Sequence, residues 1–88
     1  MRKVNKTLAR KMFNDGKTIY ILPCKIPLNN VWVQPYIINK TIANSIYNQT
    51  FEVIGFDTII NNFELYNCNY ESGYYATYYI NENKNKGV

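Results

Sequence analysis

The sequence predicts a small α+β domain, an antiparallel sheet of three to four strands carrying two helices, in the order α-β-β-(β)-α-β. Three observations predict it. Val4, Leu8, Ala9, Met12 and Phe13 recur at helical spacing, so one face of residues 3–14 is apolar. Residues 17–24 and 74–81 are dense in Ile and Tyr, side chains that suit a pleated surface. Turn signals separate such runs: Asn14-Asp15-Gly16 and Glu71-Ser72-Gly73. Eighty-eight residues make one domain, over 1–82, followed by a Lys/Asn tail at 83–88 expected to fray. Helices of such a chain pack on one face of the sheet.

Taken in order, the first helix spans 3–14 and ends where Gly16 supplies a positive φ. The strand at 17–24 places Ile19 and Ile21 on one face and Tyr20 and Leu22 on the other. Pro23 ends it or confines it to an edge, because proline has no N–H for the ladder. Asn29-Asn30 fits a turn, and 31–38 forms a second strand in which Pro35 again favours an edge or a bulge. Residues 39–50 read equally as a short helix or as an irregular connection. The alternating run 50–56 reads as a third strand ending at Gly55, with Asp57 as N-cap of a helix over 58–66. Ile59, Ile60, Phe63 and Tyr66 form that helix's apolar stripe. In the last strand, 74–81, Tyr74, Ala76, Tyr78 and Ile80 share one face and Tyr75, Thr77 and Tyr79 the other.

Charge is unevenly placed. Residues 1–25 carry seven Lys/Arg against Asp15 alone, whereas 41–83 carry five acids and no cation. A dipolar field of this kind steers partners more than it shapes a fold. No apolar run approaches the ~18 residues of a membrane span, and no apolar segment follows the basic N-terminus as a secretory signal requires. Cys24 and Cys68 are too few and too separated for a disulfide framework, so the reading is a cytoplasmic protein with reduced thiols.

Catalytic chemistry has little material. The chain has no His, which removes the commonest general base and metal ligand. Its cysteines are not at metal-ligand spacing, and its acids are scattered singly. Gly16-Lys17-Thr18 ends like a phosphate-binding loop, but position 11 is Lys where that loop needs Gly, and the triplet follows a helix instead of opening one. We therefore expect neither enzyme activity nor a cofactor.

Two surfaces remain as binding candidates. Lys3, Lys6 and Arg10, flanked by Lys11, line one side of the first helix and could contact phosphates. A solvated polar face explains the same row. The second is the tyrosine cluster from Tyr66 to Tyr79. One face of its strand fills the core, and the other is left for a partner, for a second copy of the chain, or for stacking on single-stranded nucleic acid. Missing cations and neighbouring acids oppose stacking unless the first helix brings its charge to that side.

The stretches GKTIYILPCKIPLNNVWVQPY and FDTIINNFELYNCNYESGYYATYYI resemble small phage and mobile-element proteins of AT-rich bacteria, over most of 14–81. That resemblance implies no fold detail and no functional residue. It implies company in which non-enzymatic inhibitors of the anti-CRISPR kind, regulators and transfer accessories are common. The leading reading is an inhibitor whose acidic, tyrosine-rich half docks on a host ribonucleoprotein or protein complex through Glu64, Tyr70, Glu71, Tyr75 and Tyr79, with carboxylates where phosphates would bind. The alternative is a nucleic-acid-binding accessory protein using Lys3, Lys6, Arg10 and Lys11.

Overall fold

The computed structural model describes residues 1–23, 26–68 and 75–81. Among these residues six strands and three helices follow in the order β1 (Arg2–Val4), α1 (Lys6–Asn14), β2 (Ile19–Leu22), β3 (Tyr36–Ile38), β4 (Ala43–Asn44), β5 (Gln49–Thr50), α2 (Phe51–Ile54), α3 (Phe56–Asn67) and β6 (Thr77–Ile80). β1, β6, β2 and β3 lie side by side in that order, every pair antiparallel, and β4 and β5 form a separate hairpin. The fold is α+β, as the sequence predicts.

The N-terminus differs from the expected helix over 3–14. Arg2–Val4 is a strand, and the helix begins only after Asn5. The Asn5 side chain accepts the Leu8 amide at 2.8 Å, satisfying one of the orphan donors of the first turn. At the other end the Gly16 amide donates to the Phe13 carbonyl and the Lys17 amide to the Met12 carbonyl, with Gly16 at φ 92°. This paired closure requires a left-handed residue, and Gly adopts that conformation without steric cost.

Asparagine builds much of the irregular chain. The Asn30 side chain accepts the amides of Trp32 and Val33, Asn39 those of Thr41 and Ile42, and Asn44 those of Ile46 and Tyr47. Each imitates a backbone turn. The turn at Asn30 takes the chain out of extended pairing, which is why only 36–38 of the expected 31–38 strand is in the sheet. The turns at Asn39 and Asn44 make 39–50 a small hairpin, neither helix nor irregular connection. Pro23 and Pro35 stand just outside β2 and β3, where no ladder amide is needed. β3 is an edge strand, but β2 is interior, flanked by β6 and β3.

The run 50–56 is not a strand. Phe51–Ile54 forms one helical turn with Thr50 as N-cap, and Phe51 is buried while Glu52 and Val53 face solvent. Gly55, not Asp57, caps α3, at φ 93° and ψ 144°, and Asp57 sits in the first helical turn. Negative charge there suits the positive end of the helix dipole without capping it.

The core lies between the helices and one face of the sheet. Val4, Ile19, Ile21, Ile38, Ala76, Tyr78 and Ile80 come from the strands; Ala9, Phe13, Phe51, Phe56, Ile59 and Ile60 come from the helices. Burying each large apolar side chain favours folding by about 1.5–3 kcal/mol. Phe13 of α1 and Phe56 of α3 meet at 5.6 Å between ring centroids, tying the two helices together over the sheet. Of the expected strand 74–81, β6 covers Thr77–Ile80, and the alternation holds there, with Tyr78 and Ile80 inward and buried Ala76 just before it. Tyr70, Glu71, the turn at 71–73, Tyr74, Cys24 and the tail at 83–88 lie outside the described residues.

A neutral aromatic groove as candidate functional site

A concavity among the described residues lies on the helix side, beside the β3 edge. α3, the β4–β5 hairpin and the segment leading into β3 border an open groove of about 730 Å³. Its floor is aromatic. Tyr36 stacks on Phe63 at 5.5 Å and meets Phe51 edge-on at 6.1 Å. Tyr47, Ile46 and Tyr66 stand on the rim. Among the described residues no Lys, Arg, Asp or Glu lines it.

The turns place these side chains. The Asn44 turn projects Ile46 and Tyr47 from the hairpin, and Ile46 is 86% exposed. Helical spacing carries Ile59, Phe63 and Tyr66 along one side of α3, from buried Ile59 to Tyr66 at 80% exposure. Two amides tie the rim to the floor. Asn44 Nδ2 donates to the Tyr36 hydroxyl at 3.4 Å, and Asn62 Nδ2 donates to the Tyr47 hydroxyl. Burial pushes the Tyr36 hydroxyl above its ordinary 10.0; the Asn44 bond lowers it, and nearby Tyr47 adds to the rise.

The structure disperses the residues expected to bind a partner. Glu64 is not on the surface: it is 3% exposed, and its Oε1 accepts the Tyr78 hydroxyl at 2.9 Å and the Ala76 amide at 3.3 Å. Lys6 Nζ lies 3.7 Å from the other oxygen. A carboxylate satisfied in this way cannot stand in for a phosphate on a docking surface. Tyr75 is 54% exposed and lies on the same cleft as Glu64, whereas Tyr79 is on the opposite, open face of the sheet. Tyr70 and Glu71 lie outside the described residues.

The basic row is also divided. Lys3 belongs to β1, not to the helix. Arg10 bonds Asp57 of α3 at 2.8 Å and lies over the Phe56 ring. Lys11 pairs with Asp15 one turn away at 3.4 Å. With Lys6 directed at Glu64, three of the four cations face acids of this chain.

Sequence reasoning missed the groove because its parts come from three separated stretches. Phe63 and Tyr66 were legible as an apolar stripe. Ile46 and Tyr47 fell in the ambiguous stretch 39–50, and Tyr36 looked like an ordinary strand residue. Among the described residues no cluster of three or more His, Cys, Asp or Glu side chains is placed to hold a metal ion, and no helix is long and apolar enough to cross a membrane. Comparison with protein-family models, with curated proteins and with solved structures finds no match to this chain.

Proposed function

We propose that this chain is a non-enzymatic binding protein whose neutral aromatic groove receives an apolar segment of a protein partner. One observation carries this reading: Ile46 and Tyr66 are left 86% and 80% exposed beside a stacked aromatic floor. Large apolar side chains gathered at a concavity mark interaction surfaces, and tyrosine supplies contact area at low entropic cost.

The narrower form of the proposal is an inhibitor of a host nucleic-acid-handling complex, of the anti-CRISPR kind. Its warrant is the sequence resemblance alone. Because Glu64 is buried, the proposal takes the groove and not the acidic tyrosine strand as the docking surface. The test is capture from bacterial extract on immobilised wild-type protein and on Ile46→Asp plus Tyr66→Ala. Both sites are exposed, so the variant should keep its fold within about 0.5 kcal/mol per site. Partners held by wild type after nuclease treatment and lost by the variant support the reading. Identical capture by both proteins defeats it.

A further inference from the structure

The face of the sheet turned away from the helices carries one row of side chains across all four strands. Lys3 pairs with Tyr79, Tyr79 with Tyr20, and Tyr20 with Ile37. Neighbouring strands are about 4.8 Å apart, so the two tyrosines are adjacent on the two interior strands. Both are half-buried, Ile37 is 45% exposed and Lys3 is exposed. Beyond Tyr20 along β2, Leu22 is fully buried, which bounds the open area at that end.

The charge of this face differs from that of the chain. All four described acids lie in the helix layer: Asp15 after α1, Glu52 in α2, and Asp57 and Glu64 in α3. The open face has none among the described residues, and β1 delivers a cation beside the tyrosines. The sequence separates basic N-terminus from tyrosine strand by most of its length; the β1–β6 pairing reunites them.

We propose that this row is a stacking platform for single-stranded RNA, with Tyr20 and Tyr79 each receiving a base and Lys3 a backbone phosphate. Aromatic rings on an open sheet face stack bases irrespective of sequence, and an adjacent cation supplies the salt-dependent part of the affinity. Each ring carries a hydroxyl able to bond a ribose 2′-OH, which selects RNA over DNA. The site is separate from the groove and does not depend on it.

The experiment is fluorescence anisotropy of a labelled short oligouridine with the full chain at low salt. Wild type should bind it, bind the matching deoxy strand and an RNA duplex more weakly, and lose affinity as salt rises. Tyr20→Thr or Tyr79→Thr, which keep strand propensity, should each weaken binding about tenfold. Ultraviolet crosslinking of the wild-type complex should place the RNA on β2 and β6, a readout independent of how well the variants fold. No binding at low salt, equal or tighter binding of the deoxy strand or the duplex, unchanged affinity in both variants, or crosslinks confined to α1 each overturn the proposal.

Discussion

The Tyr78 hydroxyl donates to Glu64 Oε1 at 2.9 Å, a buried bond between the central strand β6 and helix α3. The same oxygen takes the Ala76 amide, so one carboxylate satisfies two buried donors. Glu64→Ala would orphan both and should cost about 1–3 kcal/mol, read as a lower urea midpoint. Melting should fall by roughly 4–8 °C for each kcal/mol lost. Glu64→Gln keeps an acceptor oxygen and should lose less. A Glu64→Ala protein as stable as wild type would contradict the bonding described here.

Gly55 should tolerate no side chain, for reasons of backbone alone. Among the described residues nothing lies within 4 Å of where a Cβ would stand, yet the residue sits at φ 93° and ψ 144°. That region is essentially closed to L-residues, so Gly55→Ala should cost about 1–3 kcal/mol in chemical denaturation. Asn should recover little, since ψ is far from the left-handed helical basin in which Asn is at ease.

Tyr36 should report the groove through its ionisation. Burial favours the neutral phenol, so the folded protein holds that proton more tightly than the unfolded chain. The stability this contributes is complete below the ordinary 10.0 and is lost as pH rises through the raised folded value. Absorbance titration of tyrosinate should show a late-ionising group that disappears in Tyr36→Phe. Asn44→Ala removes a donor that favours the ionised form and should delay ionisation further; Tyr47→Phe should advance it.

The Arg10–Asp57 pair should matter little to stability despite its 2.8 Å distance. Its side chains are 39% and 62% exposed, and ion pairs in such positions couple by about 0.2–1 kcal/mol. A double-mutant cycle through Arg10→Ala and Asp57→Ala should return a value in that range, shrinking near ~1 M salt. Arg10→Ala alone should cost somewhat more than Asp57→Ala, because it also removes the cation over the Phe56 ring.

What could be read from the chain followed periodicity, and what could not depended on partners far away. The inward set Ala76, Tyr78 and Ile80 was legible because alternation is a local property. So was α3, and its pattern already held the clue to Glu64. That residue lies four places after Ile60 and eight after Phe56, inside the buried stripe. Phe51 to Gly55 misled because inward Phe51 and Ile54, separated by outward Glu52 and Val53, fit one helical turn better than the alternation of a strand. Arg2–Val4 was invisible for another reason. Three residues carry no periodic signal, and only the docking of β6 makes them a strand. The groove needed three segments brought together, and asparagine turns arranged two of them.

The position of β6 sets an order on how the molecule comes into being. It is the last of the six strands to be synthesised, yet it lies between β1 and β2 and joins them. Until it arrives, the first two strands have no shared neighbour, and Ile19, Ile21 and Val4 have no Tyr78 or Ile80 to pack against. Folding therefore cannot finish progressively behind the ribosome; it waits for the late strand and then closes the longest loop in the chain at once. A nascent chain stalled before Thr77 would hold α1 and the β2–β3 pair with open edges, the form of this protein most in need of a chaperone.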